Sequence, residues 1–190
     1  MAHTPTTSAV SAPVSGAALE LAREAHSGQR RKQSGDPFVE HPITVAALLS
    51  ERGDFGEAVI AAAYLHDVVE KTGIELELIR DRFGDEVASL VAALTEDHDV
   101  LAYEQRKREL REQVIAAGRP ATVIYAADRV ANLRDWTHLP TERREAVAAA
   151  LGTTLEERMR LWREDLEELS AADPGLPFLD LIESELARLR

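Results

Sequence analysis

The sequence predicts an all-α protein built as a helical bundle. Helix-forming stretches follow one another along nearly the whole chain, and no stretch alternates polar and apolar residues as a half-buried strand does. Turn-forming residues separate these stretches at 34–37, Gly53, Gly73, Gly84, 118–120, Pro140 and 173–177. The β-branched run ATVIYAA at 121–127 could be a strand in isolation, but the ligand-type Asp128 at its end favours a helix.

The chain is expected to form one domain, residues 16–190, after a disordered tail, residues 1–15. The tail is rich in Ser, Thr, Ala and Pro, and it lacks the basic start and apolar middle of a secretory signal. With 190 residues, 45% hydrophobic and 29% charged, the chain can fill and cover a single core.

The composition excludes several classes of protein. The chain has no Cys, which excludes disulfides and thiolate metal sites and is compatible with a cytoplasmic location. No apolar run approaches the length of a membrane span. The net charge of -12 disfavours nucleic acid and anionic membranes as partners. Two basic runs, 30–32 and 106–108, could line a phosphate pocket or form solvated helix faces with ion pairs.

Residues that bind metals occur beside three apolar helices. The doublet His66-Asp67 follows the apolar stretch 58–65, His41 opens the helix HPITVAALL, and Asp128 closes the run ATVIYAAD. Burying these groups unpaired would be costly, and a cation would offset that cost. Imidazole and carboxylate together suit Mn²⁺, Fe²⁺ or Zn²⁺. Adjacent ligands imply a helix end or a distorted turn. His66 alone could instead be a core histidine bonded to a carbonyl group.

The part of the chain after Pro140 is expected to be an amphipathic helical stretch from 141 to 170, followed by a helix after the break at 173–177. An apolar stripe at helical spacing consists of Leu155, Met159, Trp162, Leu166 and Leu169. Core packing is the favoured interpretation, and the surface of a homodimer is the alternative.

Four motifs in order give the chain a resemblance to a known family. They are AHSGQRRKQSGDPFVEHPITVAALL at 25–49, AAAYLHDVVEKTG at 61–73, FGDEVASLVAALTE at 83–96 and ADRVANLRD at 127–135. The chain resembles the HD-domain metal-dependent phosphohydrolases, in particular the small single-domain relatives of the RelA/SpoT-type (p)ppGpp hydrolases. The resemblance covers residues 17–140, and it implies a helical bundle with a metal site in its centre and a helical state for the run at 121–127. The C-terminal helices at 141–190 are expected from the amphipathic pattern alone.

The resemblance also implies roles for individual residues. The implied metal ligands, usually for Mn²⁺, are His41, His66, Asp67 and Asp128. The catalytic positions are Glu70 and Lys71. The substrate contacts are Arg31 at the base, Lys32 among the polar groups, Asn132 at the ribose, and Arg106 and Lys107 on the helix that meets the phosphates.

Lys71 departs from the family pattern, which reads Glu-Asp-Thr where this chain has Glu70, Lys71 and Thr72. Lysine is a cation at neutral pH unless it is desolvated. Glu70 and the metal could suffice in a slower enzyme, Lys71 could stabilise phosphoryl charge on a different substrate, or the site could bind nucleotides without turnover. Lys71 could also point to solvent at a helix C-terminus. Arg129, where many relatives have Lys, is a smaller departure.

The leading hypothesis is a hydrolase of guanosine 3′-diphosphate alarmones, ppGpp and pppGpp, that releases pyrophosphate and GDP or GTP. The sequence shows no synthetase or regulatory domain, so hydrolysis alone is expected. One alternative is an HD phosphohydrolase for another 3′-phosphorylated nucleotide or a phosphomonoester. The other is a nucleotide-binding protein that Lys71 has impaired as a catalyst.

Overall fold

The computed structural model describes residues 13–100 and 102–189, and helices make up most of this range. The described helices are α1 (Val14–Ala25), α2 (Glu40–Arg52), α3 (Glu57–Leu65), α4 (Val68–Lys71), α5 (Leu76–Leu94), α6 (Tyr103–Ala117), α7 (Arg119–His138), α8 (Thr141–Ala150), α9 (Leu155–Ala172) and α10 (Leu179–Arg188). No strand occurs in the described part of the chain, so the all-α prediction is confirmed. Most of the predicted tail, residues 1–12, lies outside the described residues.

Helix α7 is the centre of the bundle. Most of its residues are buried, and α2, α3, α5, α6, α9 and α10 all pack against it. The run at 121–127 is therefore helical, as favoured, and its apolar side chains fill the core from every side. The helix begins after Gly118, whose φ of 90° lies in the left-handed region that favours glycine.

The predicted breaks at Gly53, Gly73, Gly118 and Pro140 coincide with helix ends, and α5 is kinked at Gly84. The structure adds a break after α5, at 95–100 and 102, that the sequence did not predict. That connection lacks Gly and Pro, so it carries none of the usual signals.

The helical stretch expected from 141 to 170 is divided, and this part of the prediction was wrong. Helix α8 ends before Gly152, whose φ is 75°, and α9 begins with a capping box. Thr154 Oγ1 accepts from the Glu157 amide at 3.1 Å, and Glu157 Oε2 accepts from the Thr154 amide at 2.8 Å. These two bonds satisfy backbone donors that a helix start leaves open, so α9 begins here.

The apolar stripe of α9 faces the core. Met159, Trp162 and Leu169 are buried, and Leu155 and Leu166 pack against the same cluster. Core packing, the favoured interpretation, is confirmed. Among residues 13–100 and 102–189, no helix is both long and apolar enough to traverse a lipid bilayer.

Candidate metal centre

Three elements bring the predicted metal ligands together. His41 lies in the first turn of α2, His66 and Asp67 join α3 to α4, and Asp128 lies on α7. The ligand atoms of His41, His66 and Asp128 all lie within 4.8 Å of one another. His41 Nε2 is 2.9 Å from Asp128 Oδ1, and Asp67 Oδ2 is 3.6 Å from His41 Nε2 and 3.3 Å from His66 Nε2.

The junction between α3 and α4 explains how two neighbouring residues reach one site. Successive side chains on a continuous α-helix diverge by about 100°. Here α3 ends at Leu65, and Asp67, with φ -94° and ψ -8°, belongs to a turn. The turn lets the imidazole and the carboxylate converge. The distorted turn that the sequence predicted is therefore present.

Charge pairing dominates the electrostatics of these buried groups. Burial would lower the pKa of His66, but Asp67 and Asp128 outweigh it and raise this pKa to about 9. Burial would raise the pKa of Asp128, yet Arg129 and His41 hold it below its usual value. Asp67 likewise has a strongly lowered pKa, because the two imidazoles outweigh its desolvation. Both carboxylates therefore favour a positive charge between them.

The hydrogen bonding of His66 fits a divalent metal ion at this point. Its Nδ1 lies 2.8 Å from the Ala63 carbonyl oxygen, which can only accept, so Nδ1 carries a proton. A metal ion that replaced the proton on Nε2 would meet the lone pair of this buried atom, which makes no hydrogen bond and lies beside the two carboxylates. Two atoms that share an ion at about 2.1 Å can be at most about 4.2 Å apart. The four pairs of a histidine Nε2 with an oxygen of Asp67 or Asp128, at 2.9 to 3.7 Å, satisfy this limit.

Asn132 and Arg31 extend the centre on one side. Asn132 Nδ2 donates to Asp128 Oδ1 at 2.7 Å, and its Oδ1 accepts from Arg31 Nη2 at 2.8 Å. Arg31 also lies 2.6 Å from an Asp135 oxygen and 5.7 Å from the centre of the Phe38 ring. These contacts fix two of the predicted substrate residues beside the metal ligands.

Glu70 and Lys71 line the same cavity as Arg31 and Asn132. The Glu70 side chain is 5% exposed, and its Oε1 pairs with the Lys71 ammonium group. Burial lowers the pKa of Lys71, and nearby Lys107 adds to this, whereas Asp67 and Glu96 counteract it. Lys71 thus lines the cavity, although its side chain is 39% exposed.

In the second basic run, 106–108, Lys107 and Arg106 differ in whether they line the cavity. Lys107 lines the cavity and pairs with Glu96. Arg106 donates to Glu96 Oε2 at 2.9 Å and to the Val100 carbonyl at 2.9 Å, and it is not among the lining residues. Both side chains also lie over the Tyr103 ring. Lys107 is therefore the member of the run that a ligand in the cavity would meet.

The cavity above the metal ligands has a volume of about 490 Å³, within the range of small-molecule sites. Its charged lining reverses the balance of the chain: six cationic side chains, Arg30, Arg31, Lys32, Lys71, Lys107 and Arg129, face four acidic ones, Asp67, Glu70, Glu96 and Asp128. The whole chain has 22 Lys and Arg against 34 Asp and Glu. The arrangement suits an anionic ligand.

Sequence reasoning missed several residues of this site. His98 Nε2 lies 3.5 Å from Glu70 Oε1, and Glu96 holds Lys107. Both belong to the connection at 95–102, whose position beside the cavity depends on tertiary packing. Gln29 Nε2 donates to the Lys71 carbonyl at 2.9 Å and ties the loop after α1 to α4. Of these three residues, only Glu96 had a signal in the sequence, because it ends the motif at 83–96.

Comparisons with known proteins define the class. The family profile described as HD domain matches residues 18–154, and the chain belongs to this family. A guanosine-3′,5′-bis(diphosphate) 3′-pyrophosphohydrolase, MESH1, of Danio rerio is 38% identical over 119 residues, which cover 62% of this chain and 66% of that protein. A solved structure, reported with the statement that a metazoan ortholog of SpoT hydrolyzes ppGpp, has a TM-score of 0.73 and 30% identity and covers 98% of this chain and 97% of its own.

Longer relatives match over part of their length. A probable guanosine-3′,5′-bis(diphosphate) 3′-pyrophosphohydrolase of Synechocystis is 38% identical over 160 residues, which cover 79% of this chain and 21% of that protein. The chain spans about a fifth or less of the longer curated relatives. Membership of the HD-domain family and the His and Asp cluster together support a site for a divalent metal ion.

Proposed function

We propose that the chain is a metal-dependent hydrolase of guanosine 3′-diphosphate alarmones, ppGpp and pppGpp, that releases pyrophosphate and GDP or GTP. The observation that carries the proposal is a buried His and Asp cluster that opens into a cationic cavity in an acidic protein. The MESH1 relative and the related solved structure carry the same activity in their descriptions. Fold alone would not specify a substrate, and these two observations together support the alarmones as substrates.

In this proposal His41, His66, Asp67 and Asp128 hold Mn²⁺, which suits mixed imidazole and carboxylate ligands. When bound, the ion lowers the pKa of a coordinated water and polarises the phosphoryl group. The Ala63 carbonyl fixes the tautomer of His66, and Asn132 orients Asp128 by a 2.7 Å bond. The chain thereby offers preoriented ligand atoms.

Glu70 acts as the general base in the proposed reaction. It lies three residues after Asp67 on the cavity wall, and a carboxylate there can accept the proton of an attacking water. Lys71 holds Oε1 of this carboxylate, which leaves Oε2 directed to the Glu96 amide at the long distance of 3.5 Å. Lys71 then has two roles: it orients Glu70 and offsets negative charge on the departing pyrophosphate.

The remaining cavity residues bind the nucleotide. In this proposal Arg31 contacts the base and Asn132 contacts the ribose, and Lys32 and Lys107 bind the phosphates. Arg106 supports Lys107 because both side chains contact Glu96. Arg31 is already held by Asn132 and Phe38, so it loses little side-chain freedom on binding.

A second candidate function rests on the pairing of Lys71 with Glu70. An ammonium group on the general base could prevent proton transfer, which would leave a nucleotide-binding protein without turnover. The same change could redirect hydrolysis to another 3′-phosphorylated nucleotide or a phosphomonoester. We further propose a cytoplasmic location, because the substrates are nucleotides and the chain has no Cys. A homodimer remains a prediction.

Product analysis separates these functions. The Mn²⁺-loaded chain is incubated with ppGpp, pppGpp and a panel of 3′- and 5′-phosphorylated nucleotides, and products are resolved by ion-exchange chromatography. Asp67→Asn is the blank, and Lys71→Asp runs alongside. Alarmone turnover that disappears in the blank supports the proposal. Alarmone turnover by Lys71→Asp but not by the natural chain would overturn it, and tight binding without product would favour the binding protein.

A further inference from the structure

A buried network of charges connects α9 to the metal centre. Asp165 of α9 is 3% exposed, and its Oδ1 accepts from Arg111 Nη1 at 2.8 Å and from the Tyr125 hydroxyl at 3.0 Å. Its other oxygen, Oδ2, lies 3.5 Å from Arg129 Nε. Three groups from α6 and α7 therefore meet one carboxylate of α9.

Arg129 links this carboxylate to a metal ligand. Its Nη2 lies 3.2 Å from Asp128 Oδ2, and its guanidinium carbon lies 4.2 Å from the centre of the Tyr125 ring. The other oxygen of Asp128, Oδ1, is the one that faces His41 and Asn132. Each oxygen of the ligand carboxylate thus has partners of its own.

We infer that Asp165 is a positioning residue for the metal ligand Asp128 and that it acts through Arg129. The inference rests on the proposed function, because it requires Asp128 to bind a metal ion. Residue 165 lies beyond residues 18–154, the part of the chain that matches the family profile.

The charge balance gives the physical reason. An arginine beside a ligand carboxylate attracts the same negative charge that the metal ion needs. Asp165 compensates the charge of Arg129 and holds this side chain between two carboxylates, with the Tyr125 ring beneath it. Without Asp165, Arg129 would have Asp128 as its main partner and would compete with the ion for it.

The energetics favour a positioning role over a purely structural one. Buried ion pairs are seldom more stabilising than well-packed apolar residues of the same size, because desolvation offsets their attraction. The network nevertheless forms a row of contacts in space with alternating charge. The row consists of Arg111, Asp165, Arg129 and Asp128, and all four residues are buried. An arrangement of this kind has its clearest use where a ligand must be oriented.

Glu168 provides a matched control on the same helix. Its Oε1 lies 2.9 Å from Arg111 Nη2, and its side chain is 45% exposed. Glu168→Gln removes the same charge from α9 and from the same arginine as Asp165→Asn. In Glu168→Gln the contacts of Asp165 with Tyr125 and Arg129 remain. A general loosening of α9 would therefore affect both variants, whereas a specific effect on Asp128 would affect only Asp165→Asn.

The test is a calorimetric titration of the metal-free full chain with Mn²⁺. We expect Asp165→Asn to weaken the affinity by about 10- to 100-fold, as is usual for outer partners of metal ligands, and Glu168→Gln to stay within about twofold of the natural chain. In an Arg129→Gln background, Asp165→Asn should add less than about twofold, because the cation through which Asp165 acts is already absent.

Equal affinity in the natural chain and Asp165→Asn, or equal losses in both α9 variants, would overturn the inference and leave the proposed function standing. A natural chain that binds no Mn²⁺ would overturn both. If thermal unfolding shows that Asp165→Asn is not folded, Tyr125→Phe decides instead. It keeps every charge and removes only the hydroxyl bond to Asp165, so it should weaken Mn²⁺ binding several-fold, and unchanged binding would refute the role of Asp165.

Discussion

Lys71 and Glu70, neighbours in sequence, form an ion pair on the wall of the cavity beside the metal ligands. The side chain of Glu70 is almost completely buried, whereas Lys71 reaches it from the open side. Attraction to Asp67, Glu96 and Asp128 also acts on Lys71. The lysine that replaces the family's acidic residue therefore belongs to the site, and its pairing with Glu70 places the two proposed catalytic groups in direct contact.

Replacing Lys71 with alanine should reduce kcat/KM for ppGpp by about 10- to 100-fold. The variant loses a cation beside the phosphate path and the partner that orients Glu70. Steady-state kinetics with Mn²⁺ measures the effect. Arg80→Ala is the control, because it removes a cation of α5 that pairs with Glu77 on the surface. An unchanged kcat/KM in Lys71→Ala would show that Lys71 has neither role.

Replacing Glu70 with glutamine should lower kcat by about 10²- to 10⁴-fold, because the amide cannot accept a proton. Mn²⁺ affinity should stay within about twofold, since Glu70 is not one of the proposed ligands. Single-turnover kinetics and calorimetry measure the two quantities. A large loss of metal affinity with little loss of kcat would make Glu70 a ligand and contradict its role as base.

Mn²⁺ should stabilise the folded chain through the four ligands. At 100 times its dissociation constant, the ion should raise the free energy of unfolding by about 2.7 kcal/mol. We expect His66→Gln to lose most of the resulting shift in Tm, and a chelator should reverse the shift in the natural chain. His138→Gln, at the end of α7, is the control and should keep the shift in Tm. An equal shift in both variants would place the ion elsewhere.

The boundary between α8 and α9 depends on Gly152. A Cβ at this position would meet no atom within 4 Å, but φ is +75°. Gly152→Ala should therefore lower the free energy of unfolding by about 1–2 kcal/mol through the backbone alone. Gly16→Ala, in α1, also meets no atom and has no such φ, so it should be neutral or stabilising. Chemical denaturation compares the free energies of unfolding of the two variants. Equal effects would contradict the requirement for glycine at position 152.

Sequence could predict the metal ligands because each lies in a motif with its own local signal. His41 precedes Pro42 at a helix start, and the doublet His66-Asp67 ends an apolar helix. The helical state of 121–127 was predicted from the family resemblance and from Asp128 at its end rather than from the β-branched residues themselves. Here tertiary burial outweighs the local preference for a strand, because α7 is enclosed by other helices.

Other features depend on packing that no local pattern encodes. Glu96 lines the cavity and His98 contacts Glu70 from a connection with no Gly or Pro, and Asp165 reaches Arg129 from a different helix. Within α9, Asp165 looks like one more exposed acid among Glu164, Glu167 and Glu168. The helix break at Gly152 did have local signals, a glycine followed by a Thr and Glu capping box, and the amphipathic pattern on either side concealed it.

The most direct test of the central claim is ³¹P NMR spectroscopy of ppGpp that has been incubated with the Mn²⁺-loaded chain and then freed of paramagnetic Mn²⁺ with a chelating resin. The spectrum distinguishes released pyrophosphate from orthophosphate and from intact substrate. The proposed function predicts that pyrophosphate and GDP appear together in equal amounts and that neither appears with Asp67→Asn. Orthophosphate as the product, or intact ppGpp after prolonged incubation of a chain that demonstrably binds Mn²⁺, would contradict alarmone hydrolysis at this site.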